Sequence, residues 1–169
     1  MNTPKVLARD VVDVFAEHLG LPKSFTRQVI QSLKVAERIA SARPVAPPVT
    51  PRAIARIALA LTAPSIRKAV ETEKALGSLN YRAGEGQLTP EDEITDLIES
   101  SVGWRYRSDF DMRDGTILVA HNEQAAWIGE SRYAARETKT DGLSKFTKIK
   151  FSALASIARE LLPDERGVA

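Results

Sequence analysis

Apolar residues recur at spacings of three and four along the first part of the chain, which is the period of amphipathic helices. The first stripe predicts a helix over about 5–19 that ends at Gly20. After the short turn that contains Pro22, Ser24 is a good N-cap and predicts the start of a second helix. The apolar faces consist of Leu7, Val11, Val14, Phe15 and His18 in the first helix, and of Phe25, Val29, Ile30, Leu33, Ala36 and Ile39 in the second.

A proline-rich segment separates these two helices from two more. Thr50 is predicted to cap a third helix that has Pro51 at its first position, where the missing amide is harmless. Residues 53–61 are apolar almost all round, which is typical of a helix at the centre of a small bundle. Pro64-Ser65 begins a fourth helix, which turns inward Ile66, Ala69, Val70 and Leu76.

The pattern changes beyond residue 88. Thr89-Pro90 opens a short acidic helix, and residues 104–112 then alternate between apolar and charged side chains, as a half-buried strand does. Asp114-Gly115 predicts a hairpin turn, and 116–120 is the returning strand. A third strand is predicted between 126 and 139, a fourth over 146–150, and a closing helix over 151–162.

These elements predict an α+β fold: an N-terminal four-helix bundle that contains a helix-turn-helix, followed by a small antiparallel sheet with flanking helices. The polar, glycine-containing segment 81–88 marks a boundary. It divides the chain into a helical DNA-binding domain, 1–80, and an α+β dimerisation or partner-binding domain, 88–169. A fragment ending near Leu79 is expected to fold alone, because it contains four helices and the apolar faces that they need.

The net charge of +2 conceals an asymmetry between the two halves. Residues 1–70 contain eleven Lys and Arg against four Asp and Glu, a net charge of +7. The other ninety-nine residues contain thirteen basic and eighteen acidic side chains, a net charge of −5. A basic half beside an acidic half indicates a surface that binds a polyanion, although two solvated surfaces of unequal charge would give the same counts.

The first two predicted helices fit a helix-turn-helix, which needs a small residue in its first helix and a residue that tolerates positive φ in its turn. Ala16 and Gly20 satisfy both needs, four residues apart. Thr26 falls where an aliphatic residue is expected, and a one-residue adjustment would place Phe25 there instead. The other apolar positions of the motif are occupied by Phe15, Leu19, Leu21 and Val29.

The outward face of the second helix carries basic and neutral polar side chains, since no acid occurs between Glu17 and Glu37. Arg and Gln form bidentate hydrogen bonds with guanine and adenine in the major groove, whereas Lys, Ser and Thr suit phosphates. An ordinary solvated helix face is the alternative interpretation. Arg43, in the extended segment, is positioned to reach an adjacent minor groove or to serve as a linker residue. The predicted DNA-contacting residues are Lys23, Ser24, Thr26, Arg27, Gln28, Gln31, Lys34, Arg43 and Arg52.

Three segments, 20–22, 27–33 and 47–60, resemble a known family. They are similar to an N-terminal module of alphaproteobacterial prophage proteins, and to the DNA-binding part of activators that switch on gene-transfer-agent clusters. The resemblance covers about residues 8–80. It implies a phage-derived regulator that binds promoter DNA as a dimer and helps to recruit RNA polymerase or another transcription factor. Where such proteins often have a glycine-rich turn, this chain has Ser41-Ala42-Arg43-Pro44.

No catalytic or metal-binding constellation stands out in the sequence. Cysteine is absent, and the two histidines, His18 and His121, are interpreted as a packed side chain and a turn residue. Neither has the spacing of a triad or a metal site. We therefore expect no enzymatic activity, no cofactor and no metal. The sequence also has no apolar run long enough to span a membrane and no signal peptide, which predicts a cytoplasmic protein.

Three functions are compatible with these patterns. The leading hypothesis is a sequence-specific, phage-related regulator of transcription whose second domain forms a homodimer or binds another protein. The alternatives are a DNA-packaging factor of the small-terminase type that assembles into a ring, and an interaction or inhibitor module carried by a mobile element. Trp104 and Trp127 are aromatic candidates for an interface, although both are interpreted first as core residues.

Overall fold

The computed structural model describes residues 8–41, 47–81, 88–105, 112–121, 124–134 and 145–162. Within these ranges the chain has the predicted α+β character, with six α-helices and one antiparallel sheet. The helices are α1 (Ala8–Leu19), α2 (Lys23–Val35), α3 (Pro51–Leu61), α4 (Ala69–Gly77), α5 (Pro90–Ser101) and α6 (Phe151–Leu161). The strands are β1 (Asn80–Tyr81), β2 (Thr116–Ala120), β3 (Ala125–Ile128), β4 (Ser131–Ala134) and β5 (Phe146–Lys150).

Two helices begin where the sequence predicts, and the cap by Thr50 is itself a predicted feature. The Thr50 hydroxyl accepts a hydrogen bond of 3.1 Å from the Ala53 amide at the start of α3, and Pro51 is the first residue of that helix. At the start of α5, Thr89 and Asp92 form a capping box, in which each side chain accepts a hydrogen bond from the other residue's amide. Local chemistry therefore determines where these two helices start.

Two other helix starts differ from the prediction. Ser24 is not the N-cap of α2, because the helix begins one residue earlier and follows Pro22 without a side-chain cap. The segment after Pro64 first forms a short 3₁₀ helix, Ile66–Lys68, and α4 begins only at Ala69.

The strand order of the sheet is β1-β4-β3-β2-β5, and each neighbouring pair is antiparallel. The predicted hairpin at Asp114-Gly115 is wrong, because β2 pairs with β3 along one edge and with β5 along the other. Both edges of β2 are therefore occupied, and the predicted strand 104–112 cannot pair with it. Trp104 and Arg105 form a bend and Met112 lies in a turn, whereas 106–111 fall outside the described residues.

The later elements agree more closely with the prediction. The single strand expected between 126 and 139 is instead two strands, β3 and β4, joined by the tight turn Gly129-Glu130, in which Gly129 has a φ of +58°. The fourth predicted strand and the closing helix are confirmed as β5 and α6.

Side chains alternate between the two faces of the sheet. One face packs against helices and joins the main core through Ile117, Val119, Ala126, Ile128, Tyr133 and Ile149. The opposite face, which we call the outer sheet face, carries Asn80, Thr116, Leu118, Ala120, Ala125, Trp127, Arg132, Ala134, Phe146, Lys148 and Lys150. Trp104 packs against the main core as expected, but Trp127 does not, because it lies on the outer sheet face.

One hydrophobic core crosses the predicted domain boundary. Helix α3 packs against α4 and α5, and α1 packs against α2 and α6. The buried apolar residues of this core extend from Val11 to Leu162 and include both sides of the segment 81–88. Independent folding of residues 1–80 stays a prediction, and the shared core is a physical argument against it.

Candidate nucleic-acid interface

The candidate interface begins with the tight turn between α1 and α2. Gly20 has a φ of +64°, a conformation that glycine adopts without steric cost. The Leu21 amide donates to the Ala16 carbonyl at 2.9 Å, and the Gly20 amide donates to the Glu17 carbonyl at 3.3 Å. These two bonds form a Schellman motif, which ends α1 and turns the chain into α2 within three residues.

The inner face of α2 packs against the neighbouring helices. Val29, Ile30 and Leu33 are buried in the main core. Thr26 is also fully buried, and its hydroxyl donates to the Pro22 carbonyl at 3.1 Å. Thr26 was expected among the DNA-contacting residues, and this expectation is wrong: its side chain occupies the inward position that the helix-turn-helix pattern reserves for an aliphatic residue. Phe25 is only partly buried.

The outer face of α2 presents one continuous polar row. Ser24, Arg27, Gln28 and Gln31 are all exposed, and their spacing of three and four residues places them on one side of the helix. We call these four residues the α2 stripe. Arg27 forms no ion pair within the described part of the chain, and the stripe itself contains no acid.

Two lysines flank the α2 stripe, and they differ in burial and in ion pairing. Lys34 is half-buried beside it. Lys23 is exposed, but its ammonium group lies 3.0 Å from a carboxylate oxygen of Asp13 on α1. The 3₁₀ helix packs against α2 and carries the exposed cations Arg67 and Lys68.

Of the two remaining predicted contact residues, Arg52 is directed away from this surface. The Arg52 guanidinium lies 3.0 Å from Glu91 and 3.1 Å from Asp92, so its hydrogen bonds are directed at α5. Arg43 lies outside the described residues. The structure therefore brings together Ser24, Arg27, Gln28 and Gln31, with Lys23 and Lys34 at their margin.

A second group of charges lies inside the molecule, between α2, α3, α4 and α5. We call Arg38, Arg56, Glu73 and Glu91 the charge cluster; Arg52 and Asp92 form its rim. Glu73 is 0% exposed and accepts two hydrogen bonds from Arg38, from Nε at 2.8 Å and from Nη2 at 2.9 Å. Bidentate pairs of this kind, between an arginine and a carboxylate, are among the strong charge-assisted hydrogen bonds of proteins.

Arg56 connects the other members of the charge cluster. Its Nη2 lies 3.0 Å from Glu91, and its Nη1 donates to the Arg38 carbonyl at 2.5 Å. Its buried Nε has no hydrogen-bond partner in the described part of the chain and lies 3.8 Å from Glu73. The hydrogen bond that Arg38 donates to Glu73 raises the pKa of Arg38 above its ordinary value.

The charge cluster was not predicted from the sequence, although one signal was present. Glu73 lies four residues after Ala69 and three before Leu76, both of which were assigned to the inward face of the fourth helix. A carboxylate at an inward position requires a buried cationic partner. What the sequence could not supply was the identity of that partner, thirty-five residues away in the chain.

Further acids of α5 bind groups on the sheet side. Buried Glu93 accepts hydrogen bonds from the Tyr133 hydroxyl and, at 3.2 Å, from the Ser131 hydroxyl. Asp96 pairs with Arg105.

Within the described ranges, no group of three or more His, Cys, Asp or Glu residues is arranged to hold a metal ion. The same ranges contain no helix of the length and apolar character needed to cross a membrane.

Both histidines have partners. His18 is half-buried as expected, and its Nε2 lies 2.6 Å from a carboxylate oxygen of Glu160, which connects α1 to α6. His121 lies in a turn directly after β2, as expected, but it is half-buried, and its Nε2 lies 2.6 Å from the Thr147 hydroxyl oxygen. Burial, together with the charge of Lys145, lowers the pKa of His121.

Comparison with known proteins gives this chain no relatives. No family model, no curated protein and no solved structure matches it.

Proposed function

We propose that this protein binds double-stranded DNA, inserting α2 into the major groove, and regulates transcription. The observation that carries the proposal is the α2 stripe: four exposed residues capable of hydrogen bonding, on one side of a helix, directly after a tight turn. Helix α1 and helix α2 would act together as a helix-turn-helix, in which the second helix contacts the bases.

The chemistry of the α2 stripe supports this assignment. An arginine can form two hydrogen bonds with guanine and a glutamine can form two with adenine, so Arg27, Gln28 and Gln31 supply groups suited to base edges. Ser24 lies in the first turn of α2, where free backbone amides also favour a phosphate. An ordinary solvated face of this length usually includes acids, and the α2 stripe has none.

Packing supports the proposal as well. The inner side of α2 is anchored by buried Val29 and Leu33, so the stripe is held on a rigid element rather than on a loop. Arg67 and Lys68, exposed on the 3₁₀ helix beside α2, add positive charge that attracts a polyanion. A regulator of this kind binds as a homodimer to two half-sites about one helical turn apart, and RNA polymerase or another transcription factor is its expected protein partner.

A random-site selection with duplex DNA tests the proposal, with the full chain at two salt concentrations. We expect one enriched motif and an affinity that falls steeply with salt, corresponding to about four to six neutralised phosphates per subunit. The mass in solution separates a dimer from the ring expected of a packaging factor. No enriched motif, or an affinity independent of salt, would refute the proposal.

A matched pair of arginine variants locates the binding surface. Arg27→Ala should reduce affinity for the selected site by about 1–3 kcal/mol and relax the preference at one base position. Arg159 is an exposed arginine in the last turn of α6, so Arg159→Ala is the control and should leave both affinity and motif unchanged. Equal losses in the two variants would show that the contact is not made by the α2 stripe.

A further inference from the structure

The outer sheet face forms a second candidate surface, on the other half of the chain. Helices α5 and α6 cover the opposite face, and no described helix packs on this one. At its centre the residues are small: Ala120, Ala125 and Ala134 form a floor against which the Trp127 ring packs. The three alanines are themselves buried, so the accessible part of this apolar platform is formed by half-buried Trp127 and exposed Phe146.

Two aromatic rings meet on this platform although their strands are not neighbours. Trp127 lies on β3 and Phe146 on β5, on either side of β2, and their ring centroids are 6.2 Å apart at an interplanar angle of 56°. Ala120, which pairs with Phe146, is small enough to lie beneath the rings. Phe146 is 52% exposed, so the face of its ring is accessible to a ligand.

The charges around the rings have one sign. The Arg132 guanidinium lies 5.5 Å from the centre of the Trp127 ring, a cation–π contact. Lys148 and Lys150 alternate with inward residues on β5 and also lie on the outer sheet face. None of the described strand residues on this face is acidic. Aromatic rings surrounded by cations are the combination that binds unpaired bases together with their phosphates.

We propose that the outer sheet face binds single-stranded DNA. Bases stack on Phe146 and on the Trp127–Arg132 pair, while Lys148 and Lys150 contact phosphates. A duplex is less suited to this role, since its bases are already stacked on one another and their faces are not available to Phe146 and Trp127. A second copy of the chain does not fit either, because a symmetric contact would bring two faces together whose described strand residues include Arg132, Lys148 and Lys150 and no acid.

The outer sheet face and the α2 stripe share no residue, so the two proposals are independent. The test uses the full chain and a fluorescent oligothymidylate of about twelve nucleotides, with anisotropy as the readout. Phe146→Ala should weaken binding by about 5- to 150-fold, the effect of losing one stacked base. Phe146→Tyr keeps the ring and should bind as well as the unmodified chain.

Matched controls test whether a loss of oligonucleotide binding arises at the outer sheet face or from the removal of any exposed apolar or charged side chain. Leu88→Ala removes another exposed apolar side chain away from the sheet and should leave binding unchanged. Lys148→Gln should weaken binding and its salt dependence, whereas Lys74→Gln, an exposed lysine on α4, should do neither. In a Trp104→Phe background Trp127 is the remaining tryptophan, and oligothymidylate should quench its fluorescence.

Each alternative outcome identifies a different error. Unchanged binding by Phe146→Ala overturns the inference. An equal loss in Arg27→Ala would assign the oligonucleotide to α2 instead. Tighter binding of an oligouridylate of the same length would reject DNA as the ligand, and an equal loss of duplex binding in Phe146→Ala would reject specificity for single strands.

Discussion

The α2 stripe and the charge cluster contain the same kinds of side chain in opposite environments. Arg27 is exposed and has no ion pair within the described ranges, whereas Arg38 is locked in a bidentate pair with the fully buried Glu73. The two arginines are eleven residues apart in a region of high positive charge. A net charge calculated from the sequence counts both arginines equally, although only Arg27 is exposed.

The difference shows that an arginine is available to a ligand only when the fold provides no carboxylate for it. At the end of α2, Glu37 has a φ of +56°, and the chain turns so that Arg38 reaches α4. Arg52 is an intermediate case: it is exposed, yet it is directed at Glu91 and Asp92. Part of the positive charge of residues 1–70 is thus neutralised by acids of α4 and α5, and less of it faces solvent than the sequence suggests.

The largest expected effect comes from removing everything beyond Leu79. The fragment loses α5, which packs against α3, and α6, which packs against α1, and it loses Glu91 from the charge cluster. We expect it to lack a cooperative thermal unfolding transition, measured by circular dichroism. A fragment that unfolds cooperatively and binds the selected duplex would instead establish residues 1–80 as an independent domain, for which the packing of α5 and α6 is dispensable.

Within the charge cluster, Glu73→Gln should reduce the free energy of unfolding by about 3 kcal/mol, because it leaves buried guanidinium groups with too little negative charge. Urea denaturation measures this loss. Glu71→Gln, at an exposed position of the same helix, is the matched control and should change stability by less than about 0.5 kcal/mol. Equal effects would mean that burial does not distinguish the two acids.

At the turn before the α2 stripe, Gly20→Ala should cost about 1–2 kcal/mol, since a side chain disfavours the positive φ. Gly103 has a φ of +79° and, like Gly20, open space around its missing side chain, so Gly103→Ala should cost a similar amount. The two variants should differ in duplex binding, which only Gly20→Ala should weaken. Equal duplex affinities of the two variants would show that DNA binding does not depend on the turn at Gly20.

A smaller effect is expected at the rim of the charge cluster. Arg52→Gln should lower stability by about 1 kcal/mol, because its guanidinium is more than half exposed to solvent although Glu91 is buried. Duplex affinity should stay within about two-fold, since the guanidinium is engaged by α5 and the loss of a rim contact is small. A loss as large as that of Arg27→Ala would return Arg52 to the DNA-contacting set.

The smallest expected effect concerns acid, away from both regions. The folded chain lowers the pKa of His121, so the unfolded chain takes up a proton near pH 6.5 before the folded chain does. The stability due to neutral His121 is complete above that pH and is lost as the pH falls toward the lower, folded pKa. His121→Gln should reduce the slope of stability against pH in this window, measured by urea denaturation at several pH values; an unchanged slope would assign the acid sensitivity to other groups.

The sequence by itself determined most of the regular elements of this protein. Helices α3 and α5 begin at Thr50 and Thr89 as predicted, and β5 and α6 occupy their predicted positions. These features depend on neighbours within about four residues, through capping hydrogen bonds and apolar periodicity. The same local signals placed Arg27, Gln28 and Gln31 on an exposed face of α2, next to the positive φ of Gly20.

Only the tertiary structure decided which elements meet. The pairing of β2 with β5 replaced the predicted hairpin, and it carried Phe146 to Trp127 across the outer sheet face. The bond from Arg38 to Glu73 joins residues thirty-five positions apart. Such contacts depend on which surfaces pack together. The apolar periodicity of the sequence indicates which residues point inward, but it does not identify the residues that they contact.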